Sequence, residues 1–145
     1  MPKFAQGKFV MQNPDKYMGT KTPTYRSSWE WAFMQFCDTN PAIQGWASEA
    51  VQIPYRNPLT GKQSIYVPDF LINYIDKNGK QHAELIEIKP KKETTMENAG
   101  RSRKAQMAVV VNTAKWEAAF AWCKKHRIRF RVVTEDEIFH QGKRK

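Results

Sequence analysis

Two carboxylates and a lysine form the pattern in this sequence that is best suited to chemistry. Asp69 follows Pro68 in one apolar segment, and Glu87 and Lys89 lie two positions apart in the next one. Two carboxylates that converge on one point favour Mg²⁺, which binds one or two carboxylates, several waters and substrate phosphate. A lysine beside such a site can hold an attacking water or stabilise the charge that develops on phosphorus. The pattern therefore indicates phosphate chemistry assisted by a divalent cation.

A β-hairpin is the element that must position these side chains. Residues 64–76 and 82–89 are rich in strand-forming side chains, and the sequence between them, residues 77–80, is typical of a tight turn. Pro68 inside the first strand predicts a bulge or a sheet edge, because proline has no N–H to donate. A bulge there would leave Asp69 near the sheet edge, facing the second strand.

The alternation of the second strand places its charged side chains on one face. Glu87 and Lys89 share that face, and Ile86 and Ile88 point the other way into the core. On spacing alone, a surface salt bridge between Asp69 and Lys89, with a solvated Glu87, explains the pattern about equally well.

Other acidic residues have structural explanations. Glu30 stands three positions after Ser27, the spacing of a capping box, and a helix is expected from Ser27 until Pro41. Both a capping and a catalytic role stay open for Glu30. Glu49 is expected in a salt bridge at a strand end, with a position near the site as the alternative. Glu84, on the face opposite Glu87, is expected to be solvated.

The remaining chain predicts an α/β domain. Strands are expected at residues 51–55 and 130–133, and a helix ends near residue 125 with its start left open. A second capping box, at residues 134–137, predicts a short final helix. The order is arm, α, β, β, β, α, β and short α, with a charged, turn-rich segment at residues 91–104.

Three segments are expected along the chain. Residues 1–25 show no periodic pattern of apolar side chains and are expected to form an extended N-terminal arm. Residues 26–140 are expected to form one domain, and residues 141–145 a basic tail. Four aromatic side chains are expected to anchor the arm to the domain: Phe4, Phe9, Tyr17 and Tyr25.

The charge distribution favours a polyanionic partner. The chain has 145 residues and a net charge of +10, with net charges of +4, −3 and +9 over residues 1–26, 27–87 and 88–145. No stretch approaches the roughly 18 apolar residues of a membrane-spanning helix, and residues 1–10 lack the apolar core of a secretory signal. The two cysteines, Cys37 and Cys123, have no zinc-site spacing, and no Gly-rich phosphate loop is present.

The combination of these motifs resembles the PD-(D/E)xK nuclease superfamily. Pro68-Asp69 on one strand, Glu87-Ile88-Lys89 on the next and an upstream helix that carries Glu30 match that superfamily's core order, α-β-β-β-α-β. More specific similarity, over residues 7–138, is to the head completion nucleases of contractile-tailed phages, with the endonuclease subunit of heteromeric bacterial transposons as a more distant relative. That similarity is carried by residues 25–30, 46–49, 53–55, 66–70, 86–92 and 114–116.

The resemblance implies a fold, a reaction and a set of site residues. It implies a restriction-endonuclease-like core with a central mixed sheet flanked by helices. Asp69 and Glu87 would bind Mg²⁺, with Mn²⁺ as a substitute, helped by the backbone carbonyl of Ile88. Lys89 would be the catalytic lysine, and Glu30 would support the metal or its water. The implied activity is a metal-dependent endonuclease acting on double-stranded DNA.

Basic residues after the second hairpin strand are candidate phosphate contacts. Lys91 and Lys92 follow the ExK segment directly, and Arg101, Arg103 and Lys104 extend the same surface.

The resemblance also implies a biological setting. Expected partners are DNA and phage head or neck proteins, without a membrane, and the residues leave a homo-oligomer open. The expected location is the host cytoplasm during phage assembly, with presence in the virion left open. The alternative function is a structural, DNA-binding head or neck component that does not need catalysis.

Overall fold

The computed structural model of the protein describes residues 6–141. Eight strands and four helices are present in that range, in the order β1 (Gly7–Lys8), β2 (Thr24–Tyr25), α1 (Ser28–Thr39), β3 (Ile43–Ser48), β4 (Ile53–Arg56), β5 (Gln63–Tyr66), β6 (Phe70–Ile75), β7 (Gln81–Ile88), α2 (Met96–Ala99), α3 (Arg103–Lys125), β8 (Arg129–Val133) and α4 (Glu135–Gln141). None of the helices in this range is long and apolar enough to cross a membrane.

A four-stranded mixed sheet forms the centre of the fold. Its strand order is β3-β6-β7-β8, in which β6 is antiparallel to both β3 and β7, and β8 runs parallel to β7. The predicted α/β class with a central mixed sheet and flanking helices is therefore confirmed. The parallel β7–β8 pair requires a long crossover, and α3 supplies it.

Apolar side chains cover the sheet on both faces. On one face, α1 packs against it through Phe33 and Met34, which are buried with Trp46 and Phe70. A second buried cluster combines residues of α3, the β4–β5 hairpin and the other face of the sheet: Ile53, Tyr55, Tyr66, Leu85, Ala119, Cys123 and Phe130. The central sheet is thus enclosed between α1 and α3.

The predicted strand over residues 64–76 is wrong as one element. It consists of β5, which pairs with β4 in a separate hairpin, and β6, which belongs to the central sheet. The interruption falls at residues 67–69, where Pro68 removes a backbone donor. Strand β3 was not predicted, because its sequence, with Gly45 and Ala47, carries little intrinsic strand propensity.

The segment before the second long helix is more ordered than its composition indicates. Residues 91–93 form a 3-10 turn, α2 follows, and α3 begins at Arg103, capped by the Ser102 hydroxyl, which accepts a hydrogen bond from the Ala105 N–H. The sequence pattern of residues 109–111 fits both a helix and a strand, and the structure shows that they are helical.

The N-terminal segment packs on the domain. Strand β1 pairs with β2, Phe9 is buried, and Tyr17 contacts Trp46 edge-on at 4.8 Å between ring centroids. Buried Asp38 at the end of α1 accepts hydrogen bonds from the backbone N–H groups of Gln12 and Asn13, at 2.7 and 3.0 Å. Phe4 and residues 142–145 of the expected tail lie outside the described residues.

Candidate active site

The strand interruption at Pro68 places Asp69 directly beside the ExK strand. Phe70 pairs with Ile86, so the next register position places Asp69 opposite Glu87. The Ile88 N–H donates a 2.7 Å hydrogen bond to Asp69 Oδ2. Since the proline ends β5 and the sheet resumes only at Phe70, the aspartate side chain can turn across to β7 instead of following the pleat.

The predicted alternation of β7 agrees with the structure. Ile86 and Ile88 are buried, and Glu87 and Lys89 share the other face, with Lys89 Nζ 3.6 Å from Glu87 Oε2. Glu87 itself is only 5% exposed. A surface salt bridge between Asp69 and Lys89 is absent from the described part of the chain, because Lys89 pairs with the buried Glu87 instead.

The negative charge of Glu87 disfavours the ionised form of Asp69. Burial and the negative charge of Glu87 raise the pKa of Asp69 well above its usual value, although the Ile88 N–H opposes the shift. Burial also raises the pKa of Glu87, and the positive charge of Lys89 opposes it. Two neighbouring carboxylates of this kind are stabilised when a cation lies between them.

The donor set fits a hard divalent cation. Glu87 Oε1 is buried and has no well-aligned hydrogen-bond partner among the described residues, so one carboxylate oxygen is left unsatisfied beside Asp69. No group of three or more His, Cys, Asp or Glu side chains suited to a metal occurs within residues 6–141. Two carboxylates leave positions for water and phosphate, which is the way Mg²⁺ is bound in many phosphate-handling sites.

Glu30 both caps α1 and acts on the site electrostatically. Its N–H donates to Ser27 Oγ at 3.2 Å, and its Oε1 accepts the Arg26 N–H at 2.9 Å, a variant of the predicted capping box. Its negative charge also contributes to the raised pKa of Asp69. Glu30 therefore combines its capping contacts with an electrostatic effect on Asp69.

The five predicted DNA contacts lie at the surface, but one of them is engaged. Lys91, Lys92, Arg101, Arg103 and Lys104 are all exposed. Lys91 Nζ lies 3.2 Å from Asp136 of α4, and its N–H donates to Glu135 at 2.7 Å. The positive charge of Lys91 is therefore partly compensated within the protein.

Two acidic residues outside the pair have clear structural partners. Glu84 is buried, so the expectation that it is solvated is wrong: it accepts hydrogen bonds from Tyr74 Oη at 2.7 Å and Arg131 Nε at 2.9 Å. Glu49 pairs with Lys21 at 3.0 Å and Arg26 at 2.6 Å, in agreement with the expected salt bridge.

Sequence reasoning missed the wall formed by α3 and the β4–β5 hairpin. Lys115 of α3 lies over the rings of Tyr55 and Tyr66, 5.9 and 5.6 Å from their centroids. Tyr66 Oη and Trp116 Nε1 are buried and have no well-aligned hydrogen-bond partner in the described part of the chain. These residues are distant in sequence from the hairpin, so their spacing carries no signal of a shared site.

Comparison with known proteins agrees with this geometry. The family described as "TnsA-like endonuclease N terminal" matches residues 40–135, which include both carboxylates, Lys89 and Lys115. A protein of Enterobacteria phage T4 named "Head completion nuclease" is 40% identical over 142 residues, covering 91% of this chain and 92% of that protein.

Proposed function

The chain belongs to the TnsA-like endonuclease family, and from this premise we propose that it is a divalent-metal-dependent endonuclease that hydrolyses phosphodiester bonds of double-stranded DNA. The observation that carries the proposal is the pair of carboxylates, Asp69 and buried Glu87, at facing register positions with Lys89 beside them. Placing two like-charged carboxylates together costs stability, and such arrangements are concentrated at functional sites.

Each site residue has a definite task in this proposal. Asp69 and Glu87, with the Ile88 carbonyl, would hold Mg²⁺, or Mn²⁺ in its place, and a bound ion would supply Lewis acidity and a more acidic water. The Ile88 N–H donates to Asp69 Oδ2 and restricts the side chain beside Glu87. Glu30 would orient a metal-bound water through its charge.

Lys89 supplies the positive charge at the reacting phosphate. Its pairing with Glu87 at 3.6 Å holds the ammonium group on the same face as the carboxylates. A cation fixed there in advance can orient the attacking water and stabilise the extra negative charge on the phosphoryl oxygens in the transition state.

The relative's name points to the biological setting. The phage T4 protein is named a head completion nuclease, and we extend that role to this chain: processing packaged DNA ends in the host cytoplasm, in contact with phage head or neck proteins. Lys92, Arg101, Arg103 and Lys104, with Lys91, would contact the DNA backbone.

A cleavage assay tests the proposal. Purified protein is incubated with linear and supercoiled double-stranded DNA in Mg²⁺, Mn²⁺ or EDTA, next to Asp69→Ala and Lys89→Ala. We expect metal-dependent cutting that both substitutions reduce by at least about 100-fold, with Lys77→Ala in the β6–β7 turn as the matched control. A folded protein that binds DNA without cutting it would instead support the structural head-component alternative.

A further inference from the structure

Lys115 occupies an unusual position for a lysine. It projects from the middle of α3, is partly buried, and lies over two tyrosine rings of the β4–β5 hairpin, with 5.9 Å to the Tyr55 centroid and 5.6 Å to the Tyr66 centroid. Such a contact attracts the ammonium group and restricts its movement. The side chain is thus held in place without a carboxylate partner.

The amine of Lys115 lies near charges but is not neutralised by them. Within residues 6–141 it has neither an ion pair nor a hydrogen bond. The charges that act on it most strongly belong to Lys89, Glu87 and Asp69, the residues of the proposed active site. Its free donors therefore remain available to a ligand that enters beside the carboxylates.

Unsatisfied polar atoms line the same wall. Within residues 6–141, Tyr66 Oη and Trp116 Nε1 are buried donors and Glu87 Oε1 is a buried acceptor, all three without a well-aligned hydrogen-bond partner. Glu87 and Trp116 both act on the Tyr66 hydroxyl, so the three groups are neighbours. Tyr66, one of the two rings under the Lys115 amine, therefore lies directly beside Glu87, which places that amine next to the carboxylate pair.

The charge balance favours an anionic ligand here. When ionised, Asp69, Glu87 and Glu30 carry three negative charges, and Lys89 and Lys115 carry two positive charges. A divalent cation would make this set positive, whereas a phosphodiester carries one negative charge and gains a second in the transition state. Lys115 supplies the second cation without approaching the metal-binding oxygens as a competing partner.

We infer that Lys115 is a second lysine contact to the scissile phosphate, held by Tyr55 and Tyr66 on the side of the site formed by α3. The inference rests on the proposed nuclease function and adds a residue to that reaction. In it Lys89 contacts the phosphate from β7 and Lys115 from α3, so the phosphate lies between two fixed ammonium groups.

Substitution with methionine tests the inference, because methionine keeps the apolar stem against the two rings. At saturating DNA, Lys115→Met should cut about 100-fold more slowly in single turnover, with a dissociation constant in EDTA within about fivefold of wild type. Lys124→Met, on an exposed site in the last turn of the same helix, should leave both quantities unchanged.

Chemical restoration of the amine makes the test independent of folding effects. Cys37 and Cys123 are both buried, so Lys115→Cys can be aminoethylated selectively with 2-bromoethylamine. The treated variant should regain at least about a tenth of the wild-type rate, and treated wild-type protein serves as the control.

The outcomes separate the two proposals. Wild-type protein that fails to cut DNA in any divalent cation would remove the nuclease proposal itself. Wild-type protein that cuts while Lys115→Met cuts equally fast would overturn the inference alone. Weaker DNA binding with an unchanged rate, or no recovery after aminoethylation, would also overturn it, since the first indicates an ordinary backbone contact and the second a structural role.

Discussion

The backbone N–H of Ile88 donates a 2.7 Å hydrogen bond to Asp69 Oδ2. This bond links the loop between β5 and β6 to the middle of the Glu87-Ile88-Lys89 segment. A second bond, from the Glu49 N–H to the Asp69 carbonyl at 2.9 Å, holds the same residue from the β3 side. The position of the aspartate is therefore fixed by backbone groups from two neighbouring segments.

Asp69→Asn should stabilise the metal-free protein at neutral pH. Burial and Glu87 raise the pKa of Asp69, so the folded state binds more protons than the unfolded state between the two pKa values, and stability falls as pH rises through that window. In EDTA at pH 7.5 the variant should melt several degrees higher, at about 2–4 °C per kcal/mol gained. The gain should disappear below about pH 4, where the unfolded carboxyl is also protonated. Calorimetry across this pH range measures it.

The same variant provides a metal control. Mg²⁺ or Mn²⁺ at 100 times its dissociation constant should stabilise the wild type by about 2.7 kcal/mol, because the ion binds only the folded state. Asp69→Asn should show almost no such gain. A melting temperature that falls on substitution, or a metal effect that survives it, would contradict the assignment of Asp69.

Two substitutions at the start of α1 separate capping from catalysis. Ser27→Ala removes the hydroxyl that accepts the Glu30 N–H, and should lower the free energy of unfolding by about 1 kcal/mol with cleavage within about twofold of wild type. Glu30→Gln keeps an oxygen for the Arg26 N–H but removes the charge beside Asp69. Its free energy of unfolding should stay within about 0.5 kcal/mol of wild type, and its cleavage rate should fall about 10- to 100-fold. Equal cleavage by both variants would assign Glu30 to the cap alone.

The hairpin part of the site was predictable because its information is local. Period-two alternation sets which face Glu87 and Lys89 share, and the turn at residues 77–80 brings the two strands together. Pro68 correctly marked an irregularity, but the sequence alone does not distinguish a bulge from a complete strand break. The break depends on β5 finding a different partner, β4, and that pairing is a tertiary choice.

The other side of the site could not be predicted from spacing. Lys115 meets Tyr55 and Tyr66 only because the crossover helix α3 packs on the β4–β5 hairpin. Glu84 was expected in solvent because it lies on the face opposite Glu87. Its burial depends on Tyr74 in β6 and Arg131 in β8, which only the sheet order brings together.

Glu84 and Glu87 lie in one strand and are equally buried. Replacing each by glutamine should nevertheless change the free energy of unfolding in opposite directions. Glu84→Gln breaks an ion pair with Arg131 and should lower the free energy of unfolding by about 1–2 kcal/mol without loss of cleavage. Burial raises the pKa of Glu87, so ionisation of this carboxyl is less favourable in the folded state than in the unfolded state. Glu87→Gln should therefore raise metal-free stability and abolish cleavage. Urea denaturation in EDTA measures the stability of the two variants, and cleavage of supercoiled DNA measures their activity. Effects of the same sign on stability would contradict this account.

Lys91 and Lys92 are adjacent in sequence, but their charges differ in availability to DNA. Lys91 pairs with Asp136 at 3.2 Å, whereas Lys92 is exposed and has no ion pair within the described residues. Lys92→Ala should reduce the slope of log affinity against log salt by about 0.9, the value for one lost phosphate contact on duplex DNA. Lys91→Ala should change it less, and Asp136→Asn should tighten binding by freeing Lys91. Fluorescence anisotropy in EDTA between 50 and 200 mM salt measures all three, and equal slopes for the two lysine variants would show that the Asp136 pair does not restrain Lys91.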